Sequence, residues 1–319
     1  MPDDAGPPAA ADLAFANRVR KNARHLARWA RRAGLDAYRV YERDIPEYPY
    51  AIDRYGEWLH VQLFEGKRPI SDADLSRHLA ALAATLAVPP AQIALKVRRR
   101  QRGASQYEKL DPAAPAFVVH ERGLRFEVNL RAYLDSGLFL DHRETRRLVG
   151  AEAQGRRMLN LFAYTGSFTV YAAAGGALTT TTVDLSHTYQ AWSARNLTLN
   201  NFNDRARHRL IAMDVERYLA QAAGARERFD LIVLDPPSFS NSKRMRDTFD
   251  VQRDHGALLT ATLRLLAPGG TLYFSNNRQG FKLDPAVATC AHFEDISART
   301  LPEDFQRQRP HQCWRVQAG

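Results

Sequence analysis

The stretch Leu159-Asn160-Leu161-Phe162-Ala163-Tyr164-Thr165-Gly166-Ser167 decides the fold of this chain. The apolar run Met158–Phe162 is short enough for a buried strand. It runs into a turn at Gly166, and a helix from about Ser167 to Ala174 follows, closed by Gly175-Gly176. Glycine permits a tight strand-to-helix turn whose free backbone N–H groups can hold a carboxylate.

Downstream the same rhythm repeats. Leu178–Val183, Arg209–Met213, Phe229–Leu234 and Thr271–Ser275 read as strands. Ser186–Asn200, Val215–Ala223 and Phe249–Leu266 read as the helices between them, the last closed by Pro268-Gly269-Gly270. Two more strands, about His292–Arg299 and Gln312–Gln317, end the chain. Alternating strands and helices predict an α/β fold with a mainly parallel, doubly wound sheet.

Ligands of such sheets sit at the carboxyl ends of the strands. Asp184 ends the second strand, 18 residues beyond Gly166, followed by Leu185 and Ser186. That spacing suits an acid accepting from two ribose hydroxyls. Asp214 ends the third strand, placed to accept from an adenine amine. Asp235-Pro236-Pro237-Ser238-Phe239 ends the fourth. Two prolines fix the backbone there and hold the Asp235 carboxylate rigidly, while Phe239 offers a flat face for stacking a base. The turn holds only Gly166 where a pyrophosphate site needs Gly-x-Gly-x-x-Gly. The expected ligand therefore has an adenosine and an amino-acid tail but no phosphate.

Upstream, residues 1–12 are rich in Pro, Ala and Asp and are expected to be disordered. A basic helix over 13–35 follows, with Phe15, Val19, Ala23, Leu26, Ala30 and Ala33 at three- and four-residue steps. Strand, strand, helix, strand, strand over 36–130 predicts a small α+β domain, leaving 131–319 to the doubly wound one.

The 319 residues are 45% hydrophobic and carry a formal charge of +10, which points to a polyanionic partner. Arg98, Arg99 and Arg100 lie in one basic cluster, and Lys243 and Arg244 in another after the fourth strand. Cys290 and Cys313 are the sole cysteines, too few for a disulfide framework or a Cys-rich zinc site, and no metal is expected. No apolar run has membrane-span length, and acids occupy the N-terminus where a signal peptide needs bases, so a cytoplasmic location is expected.

The motifs are longer than a generic signature. The run around Gly166, Thr181-Thr182-Val183-Asp184-Leu185-Ser186, Asp235 through Met245, Phe249 through His255, Phe274-Ser275-Asn276-Asn277 and Asp135-Ser136-Gly137-Leu138-Phe139-Leu140-Asp141-His142-Arg143 together resemble the RlmK family of bacterial 23S ribosomal RNA guanine-N7 methyltransferases. In many bacteria these form the C-terminal half of a fused enzyme, whose THUMP domain and guanine-N2 methyltransferase half are absent here. The resemblance implies a class I (Rossmann-like) methyltransferase domain, S-adenosyl-L-methionine as cofactor, and 23S ribosomal RNA or a large-subunit precursor as substrate, with a guanine-N2 methyltransferase as a partner. It places Ser136, Gly137 and Phe139 over the cofactor, with Phe162, Tyr164, Thr165, Gly166, Ser167, Asp184, Leu185, Ser186, Asp214 and Asp235 around it. Asp235, Pro236 and Phe239 would be catalytic, and Arg98, Arg99, Arg100, Phe239, Lys243, Arg244 and Asn277 would meet RNA. Physical reasoning alone leaves open an exocyclic amine, guanine N2 or adenine N6, as the target, and an RNA-binding scaffold without activity. Cytosine C5 chemistry needs a cysteine nucleophile that the Ser275-Asn276-Asn277 strand end lacks.

Overall fold

The computed structural model describes residues 10–64, 69–98, 114–133, 135–240 and 248–318. It divides into two compact units, Met1–Gly123 with Val128–Ser136, and Leu124–Glu127 with Gly137–Gly319.

The first unit carries helices α1 (Ala10–Ala33) and α2 (Asp72–Leu86) on strands β1 (Ala37–Glu42), β2 (Tyr50–Tyr55), β3 (Trp58–Phe64) and β4 (Ile93–Arg98). The strands lie in the order β1-β2-β3-β4, antiparallel except for the parallel β3–β4 pair that α2 connects. The apolar stripe of α1 buries Phe15, Val19, Leu26 and Ala30 against Tyr41, Tyr50, Ile52 and Leu82. Phe15 stacks on Tyr48, centroids 4.3 Å apart. The basic face of α1 stays in solvent. The helix starts three residues earlier than its sequence pattern predicts. Buried Asp12 explains this: it accepts from the Tyr48 hydroxyl at 2.8 Å and lies 3.3 Å from Arg77, which ties down the first turn. Residues 1–9 lie outside the described residues.

Strand β5 (Phe117–Glu121) leads to β6 (Leu124–Val128) through a turn with positive φ at Arg122 and Gly123. The division between units falls at that turn.

The second unit alternates α3 (Arg143–Ala151), β7 (Arg157–Leu161), α4 (Ser167–Ala174), β8 (Thr179–Asp184), α5 (His187–Leu199), β9 (His208–Ala212), α6 (Val215–Gly224) and β10 (Phe229–Leu234). After the short β11 (Phe239–Ser240) and β12 (Phe249–Asp250) come α7 (Val251–Leu263), β13 (Leu266–Asn276), α8 (Pro285–Ala288), β14 (Ala291–Asp295), α9 (Ser297–Thr300) and β15 (Gln312–Ala318). The main sheet runs β14-β15-β13-β10-β7-β8-β9, with the five central-to-edge strands from β13 to β9 parallel and β15 antiparallel to both neighbours. Strand order reverses between β7 and β10, which opens a crevice at their carboxyl ends. Leu159, Leu161, Ile232, Leu234, Leu272 and Phe274 fill one face of the sheet, and Met158, Leu231, Val233 and Tyr273 the other. Near-continuous burial of β7 and β10 is what a sheet covered on both sides requires.

The sequence pattern ends α7 at Leu266 and starts the next strand at Thr271, whereas β13 already pairs with Phe229 at Leu266. A register shift follows, and Gly269 at φ 71° absorbs it. Among the described residues no helix is long and apolar enough to cross a membrane.

Candidate active site

The turn after β7 is tighter than one glycine would make it. Phe162, Tyr164 and Gly166 all take left-handed backbone, at φ 56°, 51° and 73°. For bulky side chains this conformation is strained, and such strain concentrates at functional sites. Helix α5 holds the turn in place: Ser193 donates to the Tyr164 carbonyl at 3.2 Å and Asn196 to the Thr165 carbonyl at 2.9 Å. In trans peptides the N–H points opposite the carbonyl, so the Thr165 amide faces away from α5. The first amides of α4 lie just beyond, in the part of a helix that leaves donors unpaired. Gly166 packs so closely that a Cβ there would meet Ser193 Oγ at 2.8 Å.

The segment entering this unit docks on the turn. The Gly137 N–H donates to the Tyr164 hydroxyl at 2.9 Å, and Thr165 Oγ1 donates to the Gly137 carbonyl at 2.6 Å. Gly137 has φ 99°, and a Cβ there would lie 2.3 Å from the Trp192 ring, so both conformation and space demand glycine. Phe139 remains 43% exposed with its ring 5.0 Å from that of Tyr164. Ser136 belongs to the first unit, where its hydroxyl bonds that of Tyr55 at 2.8 Å.

Asp184, at the end of β8, accepts from the Tyr164 amide and the Ser186 amide, both at 2.8 Å. Each oxygen keeps a further acceptor lobe. Burial pushes the carboxyl up to about 6, with the two amides pulling the other way. Leu185 and Ser186 follow, and Ser186 caps α5. Asp214 caps α6, with one oxygen accepting from the Arg217 amide at 3.0 Å. These residues fit a ligand with an amino-acid carboxylate, for the amides of the turn, and a ribose, for Asp184. The ordered pair of amides on Asp184 is the observation that carries that fit.

At the end of β10 the Asp235 carboxylate is held by Ser275, on β13, whose hydroxyl donates to Oδ1 at 2.7 Å. Its other oxygen lies 3.6 Å from Nε2 of His142. Pro236 is buried, while Phe239 is 54% exposed on β11. Ser238 donates to the Asn277 side chain, and Arg278 grips both oxygens of Asp250 at 2.7 and 2.9 Å, so both ends of the segment after Phe239 are anchored. Lys243 and Arg244 lie outside the described residues, as do Arg99 and Arg100; Arg98 is the last residue of β4. Cys313 faces Ser275 in register but is fully buried, and burial pushes its thiol far up, so it is no thiolate nucleophile.

Turn, Gly137, Asp184 and Asp235 were visible in the sequence. Ser275 and His142 were missed as partners of Asp235. No spacing rule links them, because β13 reaches Asp235 by pairing with β10 and His142 comes from the turn before α3, far upstream in sequence.

A family model described as S-adenosylmethionine-dependent methyltransferase matches residues 46–305. The chain is 51% identical over 306 residues to ribosomal RNA large subunit methyltransferase K of Neisseria meningitidis serogroup B, spanning 95% of this chain and 86% of that protein. It is 53% identical over 320 residues to ribosomal RNA large subunit methyltransferase K/L of Methylococcus capsulatus, of which it spans 43%. Among solved structures, a methyltransferase complexed with SAH superposes with a TM-score of 0.77 at 24% identity, covering 98% of this chain and 83% of that one. A SAM-dependent methyltransferase from Streptococcus mutans gives 0.75 at 23%, covering 98% and 82%. Both share the fold.

Proposed function

The chain belongs to the S-adenosylmethionine-dependent methyltransferase family, and from that premise we propose that it methylates N7 of a guanine in 23S ribosomal RNA. The likeness over 86% of a protein named for large-subunit ribosomal RNA supports the substrate, and the anchored Asp235 beside exposed Phe239 supports a nucleobase target.

S-adenosyl-L-methionine, when bound, supplies a methyl group made electrophilic by its sulfonium. Guanine N7 carries an exposed lone pair, so no residue has to remove a proton. The work of the chain is alignment. The turn and Asp184 fix the donor, with Phe139 and Asp214 proposed beside it, and Phe239 stacks the unstacked base. Such positioning contributes about 7–11 kcal/mol to lowering a barrier. As N7 accepts the methyl group the ring gains positive charge, and the Asp235 carboxylate stabilises it. A-form RNA hides N7 in a narrow major groove, so the guanine leaves the stack before reacting.

In the first unit, Arg24, Arg28 and Arg31 of α1 and Arg54 of β2 line a cleft of about 680 Å³ that we assign to RNA phosphates. Replacing Arg24, Arg28 and Arg31 with Glu should weaken RNA binding and lower its salt slope by about one per lost phosphate contact. An unchanged slope removes the cleft from the interface.

The deciding experiment treats 23S ribosomal RNA from a strain lacking this activity and maps the product. Aniline cleavage at one guanine supports N7. A mass increase of one methyl without cleavage would sink N7, and digestion to nucleosides would then test for an exocyclic amine, the chemistry that Asp-Pro-Pro-aromatic loops also suit.

A further inference from the structure

Beside Asp235 lies a cluster to which methyl transfer as described gives no task. Asp141, His142 and His311 bring ligand atoms within 4.8 Å of one another. A metal site is the obvious reading, and ring geometry opposes it. His142 and His311 stack with centroids 4.3 Å apart and planes 15° from parallel. An imidazole nitrogen binds a metal at about 2.0–2.1 Å along its in-plane lone pair. Two rings stacked face to face share no point in both planes at that distance.

The cluster is arranged around a carboxylate instead. His142 Nε2 lies 3.6 Å from Asp235 Oδ2 and 4.0 Å from Asp141 Oδ2. Among the described residues its buried Nδ1 has no hydrogen-bond partner. A buried N–H without an acceptor is costly, so the ring hydrogen belongs on Nε2, toward the carboxylates. Burial holds the ring below the ordinary histidine range, opposed by Asp235, so it is neutral at pH 7. His311 backs it: Nδ1 bonds Asp141 at 3.1 Å and Nε2 meets the Thr300 hydroxyl at 3.1 Å. Phe168 of α4 packs edge-on against His142 at 5.8 Å. Ser275 already holds the other oxygen of Asp235.

We propose that His142 is a positioning residue for methyl transfer, its neutral Nε2–H fixing the rotation of the Asp235 carboxylate from the side opposite Ser275. This rests on the reading that Asp235 faces the target base. The 3.6 Å separation shortens as substrate binds, since hydrogen bonds at reacting sites are often long without ligand. Neutrality matters: an imidazolium would draw away the negative charge that the methylated ring needs. The groups facing His142 are Asp235, Asp141, His311 and, from α3, Arg146.

The test compares His142→Phe, which keeps the stacked ring but has no donor, with His142→Gln, whose amide nitrogen reaches the position of Nε2. His142→Phe should lower kcat about tenfold, the worth of one hydrogen bond to a charged group, with KM for RNA and SAH affinity unchanged. His142→Gln should recover most of kcat. In Asp235→Asn, adding His142→Phe should cost nothing more, since the two act as one unit. A His142→Phe enzyme with normal kcat, or an additive double variant, overturns the proposal. Should His142→Phe not fold, the pH profile of His142→Gln decides. Wild-type kcat falls in acid as His142 takes up a proton, and that limb should vanish in the Gln variant; an identical limb overturns the proposal. Product mapping is separate: methylation at another atom with the coupling intact sinks the N7 reading and leaves the positioning role standing.

Discussion

Asp184 shows how much a single side chain can carry. The sequence exposed it through spacing from Gly166, and the structure adds why the position is tense: a carboxylate pushed up to about 6 by burial, steadied by two amides. The fold therefore holds a proton on this group at a pH where the unfolded chain, titrating near 3.8, has released it. Stability from this group is present below about pH 4 and is lost as pH rises through 6. Ribose hydroxyls donate to the ionised form, so the ligand's contribution runs the opposite way. The rise in melting temperature on adding SAH should shrink between pH 7.5 and pH 5, while Asp184→Asn should show a small shift at both. Equal shifts for wild type at the two pH values would separate Asp184 from the ligand. Phe162 and Tyr164 were legible only as neighbours of a glycine, because left-handed backbone at a bulky residue leaves no mark in composition. Such residues cost of order 1–3 kcal/mol each, and the interactions around the turn offset that.

At the scale of elements, periodicity found the main strands and helices of the doubly wound sheet but missed α3, α8, α9, β11 and β12, and the strand expected at His292–Arg299 stops at Asp295, where the chain turns into α9. Other errors fell where a tertiary contact overrides a local signal. Asp12 extends α1 because Tyr48 and Arg77 lie above it. Pro268-Gly269-Gly270 reads as a stop, but β10 offers Leu266 a partner before the bulge. The anchoring of α3 was equally invisible. Arg143 and Asp304, whose side chains are both fully buried, form an ion pair at 2.7 Å across 161 residues of sequence. Removing one partner of such a pair strands the other charge, so Asp304→Ala should lose about 3–5 kcal/mol in denaturant unfolding. A loss under 1 kcal/mol would mean that water reaches Arg143.

For the molecule as a whole, alternation of strand and helix was enough to predict the doubly wound sheet, and the change of rhythm after Tyr133 led to the expectation of a smaller domain before it. Where the chain changes allegiance was not legible. Leu124–Glu127 looks like the second half of a hairpin, yet Asn196 accepts from the Glu127 amide at 2.9 Å, and Arg195 grips its carboxylate at 2.8 Å. These contacts come from a helix some 70 residues on, and no local pattern announces them.

The place of β15 has one more consequence. The segment latest in sequence lies inside the sheet, hydrogen-bonded to β13 on one flank and β14 on the other. A chain cut before Gln312 would therefore not simply fray. It would expose the flank of β13 as a raw, sticky edge and set β14 adrift. Removing Gly319 alone should leave soluble protein, whereas deletions that reach into Gln312–Ala318 should give inclusion bodies, a cliff where an edge strand would show a gentle slope.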